Sequence, residues 1–419
     1  MNFISEKADG CVIINGQPYQ VGDMAVKYNA DGVILRDKNA QTNVILQAPY
    51  TQITVTGQGS PFASLAAMKT FIQANFFVEA SAGSGGGGTE TLYAYPKDFG
   101  AIGNGIADDT VAIRSARDTG RTVQFGSVQN MYKISGDVSP LEGQSFEATG
   151  AVLYSEGGID FIKASRNSSI TGLTFLGAGR DSGVSQTGIL IDGGVSNNAV
   201  YGVGVHSCRF ISLGGNGNRI TRVVGSHYGN SINQCKFYQC KRGFFADERG
   251  EYTTVVGSHF TECQTGNQIQ GGNTVVSTCV ISDSTLYGVL LTAGANDAHG
   301  LMSDTLINHT SDSGYAVKAE SINVPDFVFK NCHIYYSKIW LNMCSGIRFE
   351  GGTMDVTQIF EHGATNCYFT GVKFMSMTND TVRANFAGTV SKVIYTDCIF
   401  PPDLPSGSRY RINGAILSL

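Results

Sequence analysis

The sequence predicts an all-β chain, wound as a right-handed parallel β-helix of about nine to eleven coils behind a small N-terminal domain. Three observations carry this. Glycine occurs 53 times in 419 residues, roughly double the usual share of about 7%. Charged residues make up only 15%, and Val, Ile, Thr, Phe and Tyr are frequent, the composition of many short strands joined by tight turns. A short phrase also recurs along the C-terminal part of the chain.

The phrase reads GLTF ending at Phe175, SCRF at Phe210, QCKF at Phe237, GSHF at Phe260, TCVI at Ile281, DTLI at Ile307, NCHI at Ile334, GTM at Met354, GVKF at Phe374 and DCIF at Phe400. Intervals of roughly 20–35 residues are those of a solenoid or propeller. Each unit holds two or three short strands, because a turn and a second apolar pair follow the phrase, as at Phe245, Ile269, Val289, Val317 and Trp340. The 3.6-residue period of a helical repeat is missing. Two positions before the apolar residue, five units carry Cys208, Cys235, Cys279, Cys332 and Cys398. With no closely paired metal-ligand spacing, these read as a ladder of reduced, small buried residues rather than bridges or ligands.

Taken in chain order, residues 1–80 begin with strand-like runs (CVIING, GVILRD, NVILQA, QITVTG) and end in SPFASLAAMKTFIQANFF. There Ser60 can cap and Pro61 open a helix whose Phe62, Leu65, Met68, Ile72 and Phe76 fall at helical spacing. That helix packs on its own small domain or forms a three-helix neck in a trimer. Residues 81–93, with SAGSGGGG, read as a flexible linker. Residues 94–400 form the coils. Residues 401–419 carry three of the nine prolines and close them as a C-terminal cap.

The stretch KDFGAIGNGIADDTVAI, Lys97 to Ile113, could pass for a phosphate loop or a metal site. It lacks the GK[ST] of a phosphate loop. Asp108 or Asp109 is placed to cap a short helix with Ala112, Ile113 and Ala116 inward, and Gly100, Gly103 and Gly105 permit the turn before it. The aspartate pair is expected to be structural.

This motif and the following RTVQFGSVQNMYKIS resemble the opening of the pectate-lyase-superfamily β-helices found in bacteriophage tailspikes and related polysaccharide-degrading proteins; Asn104 stands where that family commonly has Asp. The resemblance implies a helix covering the open end of the solenoid, a use consistent with the hazard of exposed strand edges. It further implies a homotrimeric tailspike in the virion tail. Residues 1–80 would attach to a phage tail or baseplate protein, and the coils would bind, and often hydrolyse, a bacterial surface polysaccharide.

A net charge of −5, with no basic cluster standing out, argues against nucleic acid or anionic lipid as partner. No run of about 18 apolar residues and no charged-then-apolar leader at MNFISEKADG suggests a chain made without a signal peptide and without membrane insertion. No cofactor or metal is expected: an Asp-rich calcium cluster like that of pectate lyases is missing, and AHG at 298–300 is a poor substitute for the GHG of polygalacturonases.

Glycoside hydrolysis needs two carboxyl groups about 5–5.5 Å apart for retention or ~6.5–9.5 Å for inversion, and coils stack at about 4.8 Å. Aligned on the phrase, Glu262, Asp283, His309 and Tyr336 fall in one column, two residues after the apolar position. An even offset points inward unless the turn has begun. A second cluster is ADERGE, with Asp247, Glu248, Arg249 and Glu251 beside Tyr252. Glu320, and Asp297 with His299, sit in loops of later coils. The expected catalytic set is therefore Glu262, Asp283, Asp247, Glu248 and Glu320. Tyr238, Tyr252, Tyr335, Arg249 and His309 are the sugar contacts, with Tyr238 and Tyr335 outward on their strands. Two functional classes fit: a polysaccharide-hydrolysing tailspike, or a non-catalytic receptor-binding or structural tail protein on the same scaffold.

Overall fold

The computed structural model describes residues 92–192, 200–221, 229–247, 250–293, 298–376 (apart from His309 and Asp312) and 392–399, together with the strands of residues 2–78 and three short strands near the C-terminus. It divides into two compact units, Met1–Glu90 and Thr91–Leu419.

In the first unit the four strand-like runs become the strands Cys11–Ile14, Gly32–Asp37, Val44–Pro49 and Ile53–Val55. They belong to two four-stranded sheets, each built on antiparallel neighbours and closed by one parallel pairing. The helix expected over residues 60–76 lies outside the described residues, as does the glycine-rich linker.

The second unit is a right-handed parallel β-helix of about ten coils. Each coil gives one strand to each of three parallel stacks, as in Asn230–Asn233, Lys236–Tyr238 and Arg242–Ala246. The next coil repeats the order with Thr253–Val256, His259–Thr261 and Thr265–Ile269. Toward the C-terminus the second and third stacks merge, since His333–Asn342 and Thr353–His362 each run unbroken through both.

The recurring phrase is the second stack. Phe175, Phe210, Phe237, Phe260, Ile281, Ile307, Ile334, Met354 and Phe374 are register partners in turn, and all are buried. Period-two alternation sends them inward and their neighbours outward. Phe175 to Phe260 form a column of near-parallel rings with centroids 4.9, 4.6 and 4.5 Å apart. Burying each ring stabilises the fold by about 1.5–3 kcal/mol. Glycine faces this column: a Cβ on Gly217 or Gly243 would stand 2.4 Å from the ring of Phe237 or Phe260.

Between the first and second stacks the chain turns on one residue with positive φ: Ser207 (53°), Gln234 (54°), Thr278 (49°), Asp304 (49°) or Asn331 (50°). Its N–H continues the ladder to the next coil, as in Ser207 N to Asn233 O at 2.9 Å and Gln234 N to Val256 O at 2.9 Å. The following residue turns inward and donates to the carbonyl two positions back: Cys208 to His206 at 3.4 Å, Ser258 to Val256 at 3.1 Å, Thr305 to Ser303 at 2.9 Å. A small donor suits the row from Cys208 to Cys332, where Cys alternates with Ser and Thr, while buried Leu173 and Val372 take the same position on other coils. The nine described cysteines are free thiols, Cys398 half-buried and the rest buried. Burial pushes Cys279 up to about 11 and Cys332 up to about 12, which disfavours the reactive thiolate.

At the N-terminal end of this unit the helix Thr110–Arg117 buries Ala112, Ile113 and Ala116 in the same core as the coils. The two aspartates divide the work differently from a simple cap. Asp108 accepts the Thr110 N–H at 3.0 Å and the Ser135 hydroxyl. Asp109, formally at the cap, instead accepts the N–H groups of Ile102 (2.7 Å) and Gly103 (3.0 Å), tying down the glycine turn. At the other end Arg409–Ile412 extends the first stack through Tyr395 and Ile412, then turns back as a hairpin with Ala415–Ser418.

Candidate functional site

The corner between the second and third stacks also turns on one residue with positive φ: Ser212 (54°), Gln239 (52°), Glu262 (54°), Asp283 (55°) and Tyr336 (50°). Their N–H groups form a ladder along the coils, with Ser212 N to Tyr238 O at 2.9 Å, Gln239 N to Thr261 O at 3.1 Å, Glu262 N to Ser282 O at 3.1 Å and Asp283 N to Asn308 O at 3.1 Å. The turn has therefore begun at the expected column. Its side chains leave the coil, while Cys240, Cys263, Ser284 and Ser337 behind them are buried. Glu262 is half-buried, Asp283 exposed and Tyr336 60% exposed. Glu262 and Asp283 occupy neighbouring rungs, so their backbones lie about 4.8 Å apart.

Gln239 fixes Glu262: its Nε2 donates to Glu262 Oε2 at 2.8 Å and to the Tyr238 hydroxyl at 3.0 Å. Desolvation, and then the Glu262 charge, push the Tyr238 phenol up. The loop Gly177–Gln186 lies along the same corner, bonded through Gly177 N to Ile211 O (2.9 Å) and Gly179 N to Ser212 O (2.8 Å). From it Arg180 Nη1 reaches the Glu262 carbonyl at 2.9 Å, although 82 positions separate them. Arg180 also pairs with Asp181 at 2.8 Å, which holds that carboxyl below its usual range. Glu262, Asp283, Gln239, Tyr238 and Arg180 thus share one ridge, a set able to orient a sugar and move a proton.

The outer face of the third stack gathers another group. Tyr287 and Tyr315 stack at 6.5 Å, Trp340 lies 5.0 Å from Tyr315, and Phe360 lies 6.1 Å from it. Lys318 sits over Tyr287 (5.4 Å) and Trp340 (4.9 Å). Glu320 is drawn to this group, bonded to Lys318 at 2.8 Å and to Asn342 Nδ2 at 3.2 Å. Asp247 is on the same stack but three coils away. It is 7% exposed and paired to Arg219 at 3.0 Å. The structure therefore brings Glu262, Asp283 and Tyr238 together and leaves Asp247 and Glu320 apart from them and from each other.

Tyr252 is 50% exposed in the turn that leads into the first stack. Tyr335 is half-buried, its ring parallel to His333 at 6.2 Å. Glu248, Arg249, Asp297 and His309 lie outside the described residues. Arg180, Asp181, Gln239, Lys318 and the aromatic group around Tyr315 escaped the sequence reading. Only Gln239 carried a readable signal, as the coil-mate of Glu262 one unit earlier. Among the described residues no three His, Cys, Asp or Glu side chains are grouped to hold a metal ion, and no helix is long and apolar enough to cross a membrane.

No family model and no curated protein matches the sequence. Solved structures do. The A-module of the mannuronan C-5 epimerase AlgE4 of Azotobacter vinelandii superposes with a TM-score of 0.53 at 16% identity, over 73% of this chain and 95% of that one. The Dettilon tailspike protein matches with a TM-score of 0.43 at 15% identity, over 74% of this chain and 59% of its own. The enzymatically active domain of bacteriophage CBA120 tailspike protein 2 gives 0.45 at 12%, over 74% and 47%. At such identities the likeness is one of fold. Together with the strand register, the epimerase superposition identifies the C-terminal unit as a right-handed parallel β-helix.

Proposed function

We propose that the chain is a tailspike-like protein that binds and hydrolyses a bacterial surface polysaccharide, a capsule or O-antigen, with Glu262 and Asp283 as its two carboxylates. The observation that carries this is their place on adjacent rungs of one outward corner, a spacing that fits a retaining mechanism. Glu262, oriented by Gln239, attacks the anomeric carbon. The bond to the leaving oxygen breaks as Asp283 gives that oxygen its proton. Water, deprotonated by Asp283, then displaces Glu262 and restores both groups. Tyr238 offers its ring to a sugar face, and Arg180 braces the Glu262 backbone. The resemblance of Asp98–Ile113 to tailspike openings supports the virion setting, with a homotrimer as the working assembly and residues 1–80 as its attachment to a tail or baseplate protein. The test is incubation with capsular polysaccharides and O-antigens followed by sizing of the products. Oligosaccharides that vanish in both Glu262→Gln and Asp283→Asn support the reading. Binding without cleavage by the unaltered protein replaces it with a receptor-binding role.

A further inference from the structure

The net charge of −5 conceals a one-sided segment. From Gly193 to Ala246 the sequence holds no Asp or Glu but six Lys and Arg: Arg209, Arg219, Arg222, Lys236, Lys241 and Arg242. Folding sets two of them on one line. Arg209, Lys236 and His259 are register partners on three consecutive coils of the second stack, each one residue before the inward Phe and therefore outward. All three are exposed, and among the described residues none of their side chains has a hydrogen-bond or ion-pair partner. Arg219, by contrast, is paired to Asp247. The coil register thus sets side by side two basic residues that stand 27 positions apart in the sequence.

We infer that this row is the recognition strip for an acidic glycan carrying a carboxylate on each sugar, bound along the solenoid axis beside the corner carboxylates. The inference deepens the proposed function and rests on it for the place of cleavage, though not for the binding itself. Three observations carry it. Arg209 and Lys236, unpaired on neighbouring rungs whose backbones lie about 4.8 Å apart, put like charges on one face, an arrangement that a repeating anion relieves; an extended chain of uronic acids rises by close to one coil spacing per sugar. Next, Ile211, Tyr238 and Thr261 form a parallel outward row two residues along the same strands, so a ring can lie on Tyr238 while its carboxylate meets Lys236. Last, the corner row of Gln239 and Glu262 stands one residue further on, about 10 Å from the basic row, on the opposite side of that ring. Because the basic row ends on the coil of Glu262, the acidic sugars it holds lie on one side of the Glu262–Asp283 pair, toward the N-terminal coils.

Alginate and polygalacturonate serve as probes and dextran as the neutral comparison, with binding to the full chain measured calorimetrically at low and high salt. Binding of a polyuronate that dextran does not match, that falls as salt rises, and that weakens about tenfold or more in Arg209→Gln/Lys236→Gln supports the inference. The variants remove exposed, unpaired side chains, so an unchanged melting temperature accompanies the loss. Equal binding of dextran, binding indifferent to salt, no binding of either polyuronate, or no effect of the double variant overturns it. Duplex DNA or anionic vesicles bound as tightly through the same two residues overturn the saccharide assignment. Polyuronate binding with no cleavage of any glycan defeats the hydrolase alone, and cleavage of a neutral glycan without polyuronate binding defeats the strip alone.

Discussion

The two short corners of each coil are built alike and used differently. Both turn on a single residue with φ near 50°, both continue the ladder through its N–H, and both send the next small residue inward. At the first corner the outward residue is Ser207, Gln234, Thr278, Asp304 or Asn331; at the second it is Gln239, Glu262, Asp283 or Tyr336, with the Arg180 loop laid alongside. Left-handed backbone costs a non-glycine residue about 1–2 kcal/mol, and Glu and Tyr lack the local hydrogen bonding that eases it for Asn and Asp. Geometry comes with the fold at either corner. Chemistry comes from which side chain occupies it and what lies over it.

The largest effect should come from exchanging carboxyl for amide on each side of this comparison. Glu262→Gln or Asp283→Asn is expected to slow glycan cleavage about 10²–10⁴-fold. Asp304→Asn, an exposed carboxylate at the first corner, should leave the rate unchanged, and a matching loss there would erase the distinction. Next is the shared interior: Phe237→Ala should lower stability by about 3–5 kcal/mol in denaturant titrations, because the ring stacks on both neighbours. Smaller still, Gln234→Gly and Glu262→Gly should each leave stability unchanged or raise it by up to about 1 kcal/mol, as the relief of left-handed backbone outweighs glycine's entropy. Only the second should lose cleavage.

The smallest effects concern pH and have opposite signs at the two ends of the coils. Burial raises the Asp108 carboxyl, but hydrogen bonds from Ser135 and Thr110 outweigh it and hold the group below its usual value. Its contribution is present above the unfolded value and lost as pH falls through the folded one. Glu361 is pushed up by burial, against the Tyr395 hydroxyl that donates to it at 2.7 Å. Its native form holds the proton more tightly, so the favourable contribution is full below the unfolded value and lost as pH rises through the folded one. Melting curves should show Asp108→Asn flattening the acid limb and Glu361→Gln flattening the limb above it.

The coils were legible because their period is written in side chains that must be buried. Phe210, Phe237 and Phe260 announce themselves at intervals of 27 and 23 residues, and the cysteines two positions earlier mark the first corner. The Glu262 column could be drawn from the same alignment. What surrounds it could not, since the loop carrying Arg180 is ten residues, Gly177–Gln186, where the connections after Tyr238 and Thr261 are three, and it meets Glu262 only through folding. Asp247 was hard to place for a related reason: ADERGE stands out as a charged cluster beside Tyr252, yet Arg219, one coil earlier, pairs with the Asp247 carboxylate, which is buried. Arg209 and Lys236 stayed hidden because a net charge averages over positions that the register sorts.

The corner ladders also bear on mechanics. Their N–H···O bonds, like those of the strands, run from coil to coil along the solenoid axis. Tension on that axis is shared by all the bonds of one coil boundary and borne by the boundaries in series, so the solenoid yields at its weakest boundary rather than stretching evenly. A sideways load meets the stacked phenyl column instead, which resists shear through close packing. Stretched by its two ends, the β-helix should therefore part in steps of whole coils, each releasing a length of chain close to one repeat.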